Sequence, residues 1–279
     1  MRIAAVLLAA LLAGCTTVPP PEPWEARLRG DAVVLLGEVH DNGEQHRLRL
    51  AVLRRAFAAG WRPAIVMEQF DRDRQADIER ARRERPRDAQ HVIDIAARAA
   101  PGAGWNWEYY RPFVALALEH DVPLVAANVS SADASRIARG GYAAVFDPAT
   151  LDALGLDRPV DPAIRAAQER EIDAGHCGAL PAEVWPRMAR AQTGAVLLAG
   201  NGHARRDIGV PRWLGLDPER VLSIGFLEAD SATPAAAFDA VVRTAPAPRD
   251  DPCARFRQPS RRVSAARSHS PVASSWRRT

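Results

Sequence analysis

The 279-residue sequence is sparing with the groups that carry most familiar enzyme chemistry: it holds only three cysteines and three tyrosines. No G-x-S-x-G elbow and no H-E-x-x-H pair occurs, so neither a serine hydrolase of the α/β type nor a zincin is supported. Long apolar runs are missing as well. The N-terminal one, Ile3 to Leu12, has ten residues and at roughly 1.5 Å each covers about half of a bilayer's hydrocarbon core. A transmembrane helix is therefore not expected there.

That run follows Met1-Arg2 and ends at Leu12-Ala13-Gly14-Cys15, a signal peptide closed by a lipobox. The alternative is a buried N-terminal helix. Cys15 would carry the lipid, palmitate included, and Pro19, Pro20, Pro21 and Pro23 form an extended spacer beyond it. No aspartate follows Cys15, which by resemblance to lipoprotein sorting signals favours an extracytoplasmic, outer-membrane location facing the periplasm. Cys177 and Cys253 are then one disulfide or two unrelated thiols, and an oxidising compartment favours the bond.

Basic charge on the fold is also lacking. The net charge is +3, yet residues 255–279 hold seven arginines and no acid, leaving the preceding residues at −4. Nucleic acid is therefore not an expected partner. We divide the chain into a signal peptide (1–14), a lipid-anchored proline-rich spacer (15–24), one domain (25–254) with a helical cap over about 131–193, and a Ser/Arg-rich tail (255–279) expected to be disordered.

Within the domain, β-branched apolar runs alternate with helical periodicity. This predicts an α/β fold, a mostly parallel sheet flanked by helices with a helical cap or insertion. Strands are expected at Ala32–Leu36, Ala64–Met67, Pro123–Ala127, Ala195–Ala199 and, as the last, Arg220–Ile224. Helices are expected at Gln45–Ala59, Asp71–Arg85, Ala89–Ala99 and Trp105–His120, the last with Pro112 in its first turn.

Two strands end alike. Val33-Val34-Leu35-Leu36 runs into Gly37-Glu38-Val39-His40, and Val196-Leu197-Leu198-Ala199 into Gly200-Asn201-Gly202-His203. A glycine lets the chain turn sharply off each strand, and the residues after it fall in the crevice beyond the carboxyl ends of the sheet. Glu68 and Asn128 follow two further strands, so Glu38, His40, Glu68, Asn128, Asn201 and His203 form a polar ring with metal-binding or acid/base character, or a set of buried polar groups satisfying one another. His46 and His176 either point into the same crevice or lie exposed.

Taken in order, Leu35 to Asn42 with His46, Glu68, Trp105 to Pro112, Ala126-Ala127-Asn128, His176-Cys177, Ala199 to His203 and Asp207 to Pro211 resemble the ChaN-like haem-binding uptake family, within the wider Tiki/TraB and erythromycin-esterase-like group. The resemblance implies a lipoprotein of haem and iron acquisition that binds haem non-covalently; no C-x-x-C-H is present for covalent attachment. It implies a tyrosine phenolate on ferric iron, for which Tyr110 is the first choice, and haem between two protomers of a homodimer. Trp105, Trp107 and Phe113 would serve as apolar walls, Arg205 and Arg206 as cations for the propionates, and an outer-membrane haem or iron receptor as partner. One departure from the family pattern is that only Thr193-Gly194 separate Gln192 from the next strand, where a further helix is usual. The competing function is a hydrolase with Glu38 and Glu68 as acid/base or metal-ligand groups and His40 and His203 as ligands or bases. A structural envelope lipoprotein is the third.

Overall fold

The computed structural model describes residues 20–30, 32–97, 105–154, 156, 159–175 and 195–250. The lipobox and Cys15, the His176-Cys177 pair, Cys253, the Thr193-Gly194 junction and the Ser/Arg-rich tail all lie outside the described residues.

Six strands form one sheet in which every pairing is parallel: β1 (Val33–Leu36), β2 (Ala64–Asp71), β3 (Leu124–Asn128), β4 (Ala195–Leu198), β5 (Val221–Glu228) and β6 (Ala240–Thr244), in the order β3-β2-β4-β1-β5-β6. The α/β expectation is met. Central β1 and β5 are buried along their whole length, the consequence of covering both faces of a parallel sheet. Alternate β1 residues go to opposite faces: Val34 and Leu36 join Leu53, Phe57, Phe113 and Val114, whereas Val33 and Leu35 join Ala204, Val210 and Phe238.

Helices α1 (Gly43–Ala58), α2 (Gln75–Glu84), α3 (Ala89–Ala96) and α4 (Trp107–Glu119) supply the first, larger core. The start of α1 is fixed by Asn42, whose side chain accepts from the Gln45 amide. Its end is a Schellman arrangement. Gly60 takes a φ of 95°, the Gly60 amide donates to the Phe57 carbonyl, and the Trp61 amide donates to the Ala56 carbonyl. After β3 come α5 (Ser131–Gly140), α6 (Pro148–Leu154) and α7 (Pro162–Gly175), and after β4 the single-turn α8 (Asn201–Ala204). Among the described residues no helix is long and apolar enough to cross a membrane.

Three local expectations change. β5 extends to Glu228 and β6 follows it, so Arg220–Ile224 is not the last strand. Asp71 ends β2 instead of starting a helix, and a 3-10 turn, Arg72–Arg74, separates it from α2. Pro112 sits inside α4, beyond its first turn, because the Asn106 side chain accepts from the Glu108 amide and begins the helix at Trp107. The proline leaves the Glu108 carbonyl without its usual helical donor.

The topology decides where a site can form. From β1 the chain moves to β2 on one side of the sheet, and from β4 it moves to β5 on the other, while β1 and β4 are hydrogen-bonded neighbours. Their connections leave on opposite faces, α1 with the larger core and α8 with the smaller. This is the switch point at which open parallel sheets hold ligands, and both G-x-x-H turns emerge from it.

Candidate functional site

The two turns are built around each other. The Gly37 amide continues the ladder by donating to the Ile224 carbonyl at 2.8 Å, and the Asn201 amide donates to the Glu38 carbonyl at 3.0 Å. Asn201 Nδ2 donates to the Phe226 carbonyl at 2.6 Å. A side chain on either glycine would intrude on the opposite turn. At Gly37 a β-carbon would lie 2.3 Å from Asn201 Oδ1, and at Gly200 one would lie 3.1 Å from Cε1 and 3.3 Å from Nε2 of His40.

Glu38 is the hub of the first group. Its side chain is fully buried and meets three partners: His40 Nδ1 at 2.8 Å from Oε1, the Tyr110 hydroxyl, donating to Oε1 at 2.5 Å, and the guanidinium of Arg49, ion-paired with Oε2. His46 Nδ1 stands 3.5 Å from Oε2, while its Nε2 meets the His40 carbonyl at 3.0 Å. The two histidines fare differently. Burial takes His46 down to about 4, so its ring is neutral at physiological pH. It packs face to face on Tyr109 and edge-on to Tyr110, with centroids 4.7 and 4.8 Å away.

His40 remains 47% exposed at the mouth of the crevice, its ring edge-on to Trp105 with centroids 4.7 Å apart. Desolvation holds it below the ordinary histidine value; Glu68 and Asp41 pull upward and His203 pushes further down. With Nδ1 donating to the Glu38 carboxylate, the neutral ring carries its lone pair on Nε2. A histidine with one nitrogen tied to a carboxylate and the other free is the usual form of a metal-ligating imidazole.

The second group comprises Glu68 on β2 and His203 on α8. Glu68 Oε2 accepts from the Gly200 amide at 2.9 Å, and Oε1 lies 3.3 Å from His203 Nε2. Burial alone would lower His203, but attraction to Glu68, the hydrogen bond between them and Glu171 together raise it. For Glu68, burial pushes upward and is outweighed by His203, His40 and the Gly200 amide, which bring the carboxyl down to about 2. The site thus holds a neutral imidazole at its mouth and a paired one beside it. Among the described residues no three of His, Cys, Asp and Glu gather as a metal cage.

Of the residues anticipated from sequence, Glu38, His40, His46, Glu68, Asn201 and His203 come together, and Tyr110 joins them from α4. Tyr110 occupies a different position from the one expected of an iron-bound phenolate. It has no exposed surface, its hydroxyl is committed to Glu38, and burial raises it above the ordinary phenol value despite Arg49. Asn128 belongs to the neighbouring strand end, where Nδ2 donates to Asp71 Oδ1 at 3.2 Å. Phe113 is wholly inside the core, against Arg49, and is no wall of an open pocket. Arg205 is taken by Glu171 and Asp207, and Arg206 by Asp239, so neither stands free for a propionate. Trp105 and Trp107 are both half-buried, Trp105 against the His40 ring and Trp107 against Phe70.

Sequence inspection did not find Arg49, fully buried in α1, whose pKa burial pulls down to about 10 against the pull of Tyr110 and Glu68. Nor did it find Gln45, whose Oε1 accepts from the Val39 amide at 2.7 Å and whose Nε2 donates to Thr244 at 3.0 Å.

Residues 24–195 match the family described as haem-binding uptake, Tiki superfamily, ChaN, and the chain belongs to that family. The fold is similar to the solved structure reported as cofacial heme binding to ChaN of Campylobacter jejuni, with a TM-score of 0.53 and 14% identity over 71% of this chain and 82% of that one. No protein of curated function matches the sequence.

Proposed function

We propose that this chain is a haem-binding lipoprotein of haem and iron acquisition, with haem held non-covalently over the strand-end crevice and the His40 imidazole facing the iron. Membership of the haem-binding uptake family supports the ligand. The observation that carries the site is the state of His40: exposed, with Nδ1 fixed by Glu38 and the Nε2 lone pair left over. Haem, when bound, would supply an iron that accepts a nitrogen donor, and the neutral His40 imidazole would hold it.

The remaining donors fit the same ligand. The half-buried ring of Trp105 offers aromatic surface beside His40 for the porphyrin. His203, whose pKa Glu68 and Glu171 raise against the effect of burial, gives the second turn an imidazole suited to a propionate. Tyr110 acts through Glu38, holding the carboxylate that holds His40. A ligand stacked in cofacial fashion, as in the Campylobacter protein, would need a second copy of the chain at the crevice mouth.

Anchoring rests on the lipobox ending at Cys15, and the proline-rich spacer that follows gives the domain reach from an outer-membrane surface into the periplasm, where a receptor delivering haem would be met. Haemin titrated into protein lacking residues 1 to 15 should give a saturable Soret band that H40A shifts or abolishes. An unchanged haemin spectrum in the presence of wild-type protein would refute the ligand, and a wild-type band in H40A would refute the iron-facing residue. Mass spectrometry of the membrane-extracted protein should find acyl chains on Cys15; an unmodified N-terminus would remove the anchor.

A further inference from the structure

The segment after β6 returns across the end of β5 to the His40 turn. Arg249 ends that path. Its Nε donates to Asp41 Oδ2 at 2.7 Å, its Nη1 donates to Glu228 Oε2 at 2.8 Å, and its Nη2 bonds the other oxygen of Glu228. Asp41 is the residue after His40 and lies 208 positions from Arg249 in sequence. We propose that Arg249 is a positioning residue for haem binding, a two-sided clamp that fastens the His40 turn to the sheet before the ligand arrives; this rests on the assignment of His40 to the iron.

The contacts around the clamp are continuous. Glu228 Oε1 also accepts from Asn42 Nδ2 and from the Ala247 amide, each at 2.8 Å. Asn42 Nδ2 reaches the Ala245 carbonyl at 3.0 Å, and Gln45 joins Thr244 to the Val39 amide. Glu38 fixes the His40 ring through Nδ1, whereas the chain that carries the ring, residues 39–45, is held by Thr244, Ala245 and Arg249. No other described group is bonded to Asp41 on this side of the turn except Arg249.

The geometry needs arginine. A guanidinium is a planar fork that bonds one carboxylate with two nitrogens and a second with its third, which a lysine ammonium reproduces as charge but not as shape. Without the fork Asp41 is released, and Glu228, with only 8% of its side chain exposed, keeps a charge that Asn42 and one amide cannot neutralise. Holding a ligand residue in place beforehand spares the ordering cost at binding.

The test uses the chain without its lipid anchor, in wild-type, R249A, R249K and D41N forms, and two independent readouts. In the haem-free protein, amide hydrogen exchange over residues 39–45 should be faster in R249A and D41N, and intermediate in R249K. With haem, release should be faster by about tenfold in R249A while the Soret maximum keeps its position, because the iron-facing group is unchanged. D41N takes the charge from only one arm of the fork, leaving a weaker neutral acceptor there, and preserves the pairing with Glu228, so it answers the question if R249A does not fold. Unchanged exchange over 39–45 in D41N and R249A would overturn the clamp. Failure of wild-type protein to bind haem would instead overturn the functional assignment, and the exchange result would still decide the clamp.

Discussion

Gly200 lies beneath the His40 ring so closely that a β-carbon on it would come within 3.1 Å of Cε1, and a β-carbon on Gly37 would in the same way collide with Oδ1 of Asn201. Each glycine of the two G-x-x-H turns therefore makes room for a residue of the other turn. The first contact involves the end of a ring at the crevice mouth; the second presses on a short side chain anchored to the Phe226 carbonyl. The two positions should respond differently to the same added methyl group.

Gly200→Ala should fold with near-wild-type stability, since the half-exposed His40 ring need give by only a few tenths of an ångström, but haem affinity should fall about tenfold as His40 is displaced. Gly37→Ala should lose about 1–3 kcal/mol of stability, because Asn201 cannot retreat without breaking its bond to Phe226. Urea titration and haemin titration of the same two variants check the pair. Equal effects in both assays would show that the turns are not interlocked as described.

Tyr110→Phe removes one donor from the buried Glu38 carboxylate and should cost roughly 1–3 kcal/mol of stability. Its haem spectrum should keep the wild-type form. If Tyr110 were the iron ligand, the phenolate-to-iron charge-transfer band would vanish in this variant, so the spectrum separates a structural phenol from a ligating one.

Arg49→Met tests the partner on the other oxygen of Glu38. Both charges are fully buried, and deleting the cation leaves a carboxylate whose close partners are the Tyr110 hydroxyl and the imidazoles of His40 and His46, with no guanidinium to balance its charge. The expected loss is about 3–5 kcal/mol. Arg49→Met combined with Glu38→Gln should recover much of it, and a double variant no more stable than the single one would argue against the pairing.

The legible parts of the site are those that local sequence encodes. A strand of β-branched residues followed by G-x-x-H announces a turn off a parallel sheet, and two such turns announce a shared crevice, which the β1–β4 pairing provides. Arg49 was illegible because Arg47-Leu48-Arg49-Leu50 has the look of a helix surface, where arginines ordinarily face water; only Glu38 arriving from β1 makes burial tolerable. Arg249 and Glu228 were illegible for a different reason, since their partners on the His40 turn, Asp41 and Asn42, are 208 and 186 positions away. β6 escaped notice because Ala240–Thr244 is short, and it lies at the sheet edge, where the burial pattern is weakest. Whether Tyr110 faces a ligand or the core was not legible either, because sequence places a residue on a helix but does not say where its hydroxyl finds an acceptor, here Glu38.

Glu68 and His203 make a prediction about pH whose sign follows from their opposite shifts. Glu68 drops from an ordinary carboxyl value of 4.5 to about 2, so its contribution is complete above about 4.5 and disappears as the pH falls toward 2. His203 is raised above 6.5, so its contribution is complete below 6.5 and is lost as the pH climbs through the folded-state value. The pair therefore stabilises the second turn most between about 4.5 and 6.5, with an acid limb owed to Glu68 and an alkaline limb owed to His203. His203→Gln should abolish the alkaline limb of the stability profile between pH 6 and 9 while leaving a weakened acid limb, because the Gly200 amide still bonds Glu68. Denaturant midpoints measured across pH 3 to 9 decide it: an alkaline limb that persists in His203→Gln would place the titration on another group.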